Sequence, residues 1–177
     1  MKERRLIAFL ITISVAVVCL SSCAPPPQKL RSLTKGELNQ FLTANNVTPL
    51  AVKKIGDATV IFYETEKSMG YYALSMDAKG TIVKSQASTN NNASMTQVSI
   101  GGTATGVPFA TLVINDDNLR EKGYRALVTF SDGYTAKELV SGKRGHIAPH
   151  LGIGDFKVSI ESVSIVDKEN NVIFKNP

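Results

Sequence analysis

Thr59-Val60-Ile61-Phe62-Tyr63-Glu64-Thr65-Glu66 is the stretch that decides the fold. Its centre is β-branched and aromatic, which favours a strand. Successive side chains of a strand point to opposite faces. Val60 to Tyr63 therefore present apolar groups on both faces, and both need cover. Working outward, Leu50–Ile55 reads as the preceding strand, with Gly56-Asp57 as the turn between them. Lys67-Ser68-Met69-Gly70 reads as the following turn. Tyr71–Met76 alternates, with Tyr71 and Ala73 on one face and Tyr72, Leu74 and Met76 on the other. Asp77-Ala78-Lys79-Gly80 is a tight turn with Gly at the position that needs positive φ. Thr81–Gln86 completes an antiparallel meander.

Upstream, Thr34-Lys35-Gly36-Glu37 is a capping box, in which Thr and Glu each satisfy an unpaired amide of the first turn. Leu33 and Leu38 stand at the staple positions, and Leu38, Phe41 and Leu42 share a helical face. The pattern predicts one short helix, Lys35–Ala44, ended by Asn45-Asn46 and Pro49 and packed on the sheet. Downstream, Ser88-Thr89-Asn90-Asn91-Asn92-Ala93-Ser94 is polar and aperiodic, and reads as a loop between two halves.

The second half is strand-rich as well. Thr96–Ile100 alternates, and Gly101-Gly102 and Gly106 punctuate the chain before the apolar run Phe109–Ile114, which suits a central strand. Asn115–Gly123 reads as one or two capped helical turns. Tyr124–Phe130 sends Tyr124, Ala126, Val128 and Phe130 inward, then Ser131-Asp132-Gly133 turns the chain into Tyr134–Val140. Ser141–Gly145 reads as a loop, with Lys143-Arg144 a solvated pair. Phe156, Val158 and Ile160 share one parity, and Val163 and Ile165 the other, so Glu161-Ser162 marks a bulge. Asp167–Asn171 turns into a last strand, Val172–Lys175. No strand alternates with a long helix, which argues against a parallel α/β sheet. The fold class is mainly β, α+β by its short N-terminal helix: an antiparallel meander at 34–87, the Asn-rich loop at 88–94, then an immunoglobulin-like sandwich half at 95–177, without the Cys-Trp-Cys hallmark of antibody domains.

The N-terminus supplies an address. Lys2, Arg4 and Arg5 precede an uncharged core, Leu6–Leu20, of about fifteen residues, too short to span a bilayer and right for a signal peptide. Leu20-Ser21-Ser22-Cys23 follows. It resembles the lipobox of bacterial lipoproteins, which implies cleavage between Ser22 and Cys23 and a diacylglyceryl thioether on Cys23. The resemblance covers residues 1–23 only. In that family Asp after the cysteine can signal retention in the inner membrane, and here the position is Ala24. Ala24-Pro25-Pro26-Pro27-Gln28 favours extended polyproline II, so residues 23–33 read as a tether. Loss of residues 1–22 removes Cys19 and leaves 155 residues with Cys23 alone. No disulfide, thiolate metal site or cysteine nucleophile is then expected. The formal charge of +5 falls to about +3 with the signal gone, and the basic residues are scattered, so no nucleic-acid surface is expected.

Chemistry-bearing residues are few. His146 and His150 are the only histidines. Their spacing is that of zinc-binding helices, but Pro149 argues against a helix and the Glu of the protease motif is missing. In a strand the two share a face, which leaves two-ligand binding open, with Asp155 as a third candidate. Glu64 and Glu66 share a strand face, and Tyr71-Tyr72 offers aromatic surface. Gly142-Lys143 lacks the rest of a phosphate loop, and Asn115–Glu121 lacks the spacing of a calcium loop. No cofactor is expected. The reading that results is a lipid-anchored, non-catalytic, extracytoplasmic module of the cell envelope, bound to the membrane through its lipid and to an envelope protein or cell-wall component. The alternatives are a metal-assisted hydrolase using His146, His150 and Asp155, and a small-solute-binding lipoprotein of a transporter.

Overall fold

The computed structural model describes residues 29–90, 96–103, 106–152 and 157–176. The signal, Ser22, Cys23, the tether as far as residue 28, Asp155 and Phe156 lie outside them, as do residues 91–94 of the Asn-rich loop. Among the described residues no helix is long and apolar enough to cross a membrane.

The chain stacks in four layers. The outermost is α1 (Lys35–Ala44). Beneath it lies a meander of β1 (Pro49–Ile55), β2 (Ala58–Glu64), β3 (Ser68–Met76) and β4 (Ile82–Asn90), in that order and antiparallel. The third layer is β5 (Val98–Thr103), β6 (Phe109–Ile114) and β9 (Gly145–Pro149), with β6 in the middle. The fourth runs β11 (Val172–Asn176), β10 (Ile160–Val166), β7 (Arg125–Phe130), β8 (Thr135–Leu139). A short helix, α2 (Asp117–Lys122), joins β6 to β7. The three-on-four order of the last two sheets is the immunoglobulin-like arrangement expected from the sequence.

Each layer boundary is an apolar seam. Leu33, Phe41, Ile61 and Leu74 close the seam between α1 and the meander. Burial of such side chains stabilises by about 1.5–3 kcal/mol each, which a ten-residue helix needs, since helices that short are marginal alone. Its capping box forms as expected: Thr34 Oγ1 accepts from Glu37 N, and Glu37 Oε2 accepts from Thr34 N at 2.8 Å. The next seam joins Ile55, Val60 and Phe62 of the meander to Phe109, Val113 and Ile147. Val60 and Phe62 thus face one way and Ile61 the other, so β2 is covered on both faces. The last seam fills the sandwich: Ala110, Leu112 and Ile114 from β6 meet Ala126, Val128, Phe130, Val163 and Ile165. The two halves share one stack, because β6 contributes to both seams.

Two ion pairs clip the meander to the sandwich. Arg144 takes Glu64 with both guanidinium nitrogens, and its Nη2 also donates to Asn115 Oδ1 at 3.1 Å. Lys53 pairs with Glu138 and donates to the Ile147 carbonyl at 3.0 Å. Arg144 is therefore an inter-layer clamp and not a solvated loop residue.

The structure departs from the sequence reading at four places. Gly70 belongs to β3, and the turn is one step earlier, closed by Thr65 N donating to Ser68 O. A Cβ on Gly70 would lie 2.8 Å from the Tyr63 hydroxyl and 2.5 Å from the Ala87 carbonyl, so glycine serves close packing there and not a turn. β4 runs on to Asn90, three residues into the stretch read as loop. Arg31 is part of the domain and not of a spacer, because it exchanges main-chain hydrogen bonds with Met76. β9 forms over Gly145–Pro149, where the sequence reading ends a loop at Gly145 and assigns no strand. The bulge at Glu161 is present, as a register shift between Ile160 and Ser162.

Candidate functional site: an unguarded edge strand

The two histidines are held apart. Both lie at β9, His146 within it and His150 just beyond, 2 % and 3 % exposed. Four residues of extended chain separate their Cα atoms by about 13 Å. A shared zinc would hold both nitrogens about 2 Å from itself, so the strand that puts them on one face also keeps them from one ion. Each has its own partners. His146 Nε2 lies 3.0 Å from the Lys143 carbonyl and so carries the ring proton. Burial lowers the His146 pKa, with smaller opposing effects from that carbonyl and from Glu138. His150 Nε2 lies 2.8 Å from Asp132 Oδ2, its Nδ1 accepts from Gly152 N at 3.3 Å, and its ring packs edge-on to Phe130. With both ring nitrogens engaged, His150 acts as a structural cross-link between β9 and the β7–β8 turn.

The other candidates are also absorbed by packing. Glu64 is taken by Arg144, and Glu66 lies past the end of β2 in an exposed turn. Asp116 caps α2, its Oδ1 accepting from Leu119 N at 2.7 Å. Tyr71 packs edge-on against Phe109, and Tyr72 packs against Phe41 and Tyr63. Among the described residues no cluster of three or more His, Cys, Asp or Glu could hold a metal ion.

What the fold leaves open is β4. All nine of its residues are exposed, whereas β6 is buried at every position. β4 is the outer strand of the meander and pairs with β3 over nine residues without a register shift. Exposed edges are templates for pairing with another chain, and proteins blunt them with short strands, charge, proline or bulges. The other edges among the described strands are shorter, and most are blunted. β1 carries Lys53 and Lys54, and the Lys53 ammonium reaches across to β9, which ends in Pro149. β8 is five residues long with Lys137 and Glu138. β11 is five residues long with Lys175. β5 carries Gly101-Gly102, with Gly102 at φ +145. β4 has no proline, no glycine, no bulge and one charge. That charge does not guard the edge, since the Lys84 ammonium stands 5.7 Å from the Tyr72 ring centroid, over the sheet face.

Beneath β4 the meander overhangs β5. Tyr71 divides the space into two cavities, one of about 230 Å³ against Gly101, Gly102 and Thr111, and one of about 280 Å³ against Val83, Val107 and Phe109. Small side chains keep this cleft open: Ser85, Ala87 and Thr89 point toward it from β4. The sequence reading follows this strand only to Gln86, because Ala-Ser-Thr-Asn after it has neither periodicity nor strand propensity. The signal that was present was the absence of any guard residue after a strong meander.

No protein-family model, curated protein or solved structure matches the chain.

Proposed function

We propose that this chain is a lipid-anchored, non-catalytic binding or accessory module of the bacterial cell envelope, and that it engages a protein partner by backbone pairing along β4. The observation that carries the docking half of this reading is the nine-residue exposed edge, continuous and unguarded, where the other edges among the described strands are shorter and mostly blunted. Strand addition draws affinity from main-chain hydrogen bonds and specificity from pockets for alternate side chains. The two cavities under β4 supply such pockets. The anchoring half rests on the lipobox-like Leu20-Ser21-Ser22-Cys23 and the proline tether after it.

A photo-crosslinking residue at Gln86, in the full chain and in intact cells, tests the reading. The expected result is capture of a protein through Gln86 but not through Lys137 on β8, with capture reduced when Cys23→Ala removes the anchor. Equal yields from both positions, or none from either, would overturn it.

A further inference from the structure

Which groups β4 offers follows from the ladder. Arg31 N donates to Met76 O at 3.0 Å and Met76 N to Arg31 O at 2.7 Å, on the side of β3 away from β4. Ser68 O accepts from Thr65 N on that same side. Main-chain bonding directions alternate along a strand. Met69, Tyr71, Ala73 and Ser75 therefore bond toward β4, and their partners Thr89, Ala87, Ser85 and Val83 bond back. Ile82, Lys84, Gln86, Ser88 and Asn90 are left aiming N–H and C=O at the open edge.

That set is self-complementary. An antiparallel copy centred on Gln86 sets Gln86 against Gln86, Lys84 against Ser88 and Ile82 against Asn90. Open groups then meet open groups across all nine residues, giving about ten interchain hydrogen bonds. On the cleft face Val83 meets Thr89 and Ser85 meets Ala87. The charges are compatible too. The two Lys84 ammonium groups end about 14 Å apart along the strands, beyond the Debye length of roughly 8 Å at physiological salt. Centring on Lys84 instead would oppose two like charges, and centring on Ser88 would leave half the strand unpaired. The pairing also covers Ile82 and Val83, which are 37 % and 42 % exposed in the single chain.

From this register and charge match we infer that the strand covering β4 is β4 of a second copy of this chain, forming a two-fold dimer with one eight-stranded sheet. The inference rests on the docking role proposed for β4 and names its occupant. The axis lies normal to the sheet, so the points where residue 29 leaves each copy are equivalent toward a bilayer parallel to that sheet. Both tethers can then reach one membrane.

The test uses the full chain, in its membrane and in detergent micelles. Gln86→Cys should yield a disulfide-linked dimer on mild oxidation. The unsubstituted chain, which on the proposed processing keeps only the lipidated Cys23, and Lys137→Cys should not. Gln86→Pro deletes only an outward N–H, which an edge strand tolerates. It should turn the dimer seen by sedimentation into a monomer whose thermal melt matches that of the unsubstituted chain at a dilution where it too is monomeric. A chain that sediments as a monomer, with no Gln86→Cys dimer, overturns self-pairing. If the photo-crosslinker at Gln86 then captures a different envelope protein, the docking role stands and only its occupant changes. If it captures nothing, both fall.

Discussion

β6 and β4 are both regular antiparallel strands, and the protein treats them in opposite ways. β6 is Phe-Ala-Thr-Leu-Val-Ile, buried at all six positions, with Phe109 and Val113 in one seam and Ala110, Leu112 and Ile114 in the other. β4 is Ile-Val-Lys-Ser-Gln-Ala-Ser-Thr-Asn, exposed at all nine. β6 is held by side chains, and β4 by main-chain bonds to β3. The lesson is that stability and availability have been assigned to different strands. A residue in β6 reports on folding, and a residue in β4 reports on the proposed docking.

The sharpest way to break this contrast is to empty a β6 position. Leu112→Ala should cost about 2–5 kcal/mol, the range for a buried leucine whose surroundings cannot collapse. Urea unfolding reads it directly. A loss under about 1 kcal/mol would mean that β6 is not the shared wall of two seams. The next effect tests whether the layers are clamped together. Glu64 has a side chain 12 % exposed and Arg144 one 33 % exposed. Glu64→Ala leaves Arg144 half-buried with Asn115 as its remaining partner. The expected loss is about 1–2 kcal/mol, below the figure for fully buried pairs because water screens the guanidinium. A double-mutant cycle with Arg144→Ala should show coupling between the two positions.

How much of this was legible depends on whether side chains or backbone carried the signal. The capping box at Thr34–Glu37, the inward parity of Ala126, Val128 and Phe130, and the bulge at Glu161 were readable because each is a local pattern of residue type. β2 was read as covered on both faces because Val60 to Tyr63 have no polar parity. β9 was not readable. Its five residues begin with Gly145 and end with Pro149, both turn signals, and it is a strand because β6 had a second edge to fill. Gly70 misled for a related reason: its missing side chain makes room for Tyr63, a neighbour on another strand. β4 was legible only to Gln86, since Ala87 to Asn90 owe their extended form to register with β3 alone. The candidate site was thus the least legible part of the fold, and the histidines, the most conspicuous residues, proved to be internal cross-links.

A smaller effect, confined to acid, probes the strand beside β6. His146 sits opposite Leu112 in the ladder, buried and neutral, with its pKa lowered below 6.5 by desolvation. Below pH 6.5 the unfolded chain binds a proton that the folded chain resists. The contribution is therefore fully present above that pH and is lost as pH falls toward the folded value. Unfolding free energy measured from pH 7.5 to 5 should fall, and His146→Gln should remove part of the slope. An unchanged slope would mean that water reaches His146, and that the β9 side of the β6 sheet is less closed than its burial indicates.

The smallest expected effect is the one that most sharpens the contrast. Gln86→Ala, at the middle of β4, removes an exposed polar side chain that makes no intramolecular contact needed by the seams. Surface substitutions of this kind stay within about 0.5 kcal/mol, so the urea midpoint measured at high dilution should not move. The backbone groups remain, so strand pairing through β4 should weaken only slightly, where Gln86→Pro abolishes it. The pair of substitutions at one position thus separates side-chain from main-chain recognition. If Gln86→Ala were as disruptive to association as the proline, the edge would be read through its side chains. Its open N–H and C=O groups would then be incidental to binding.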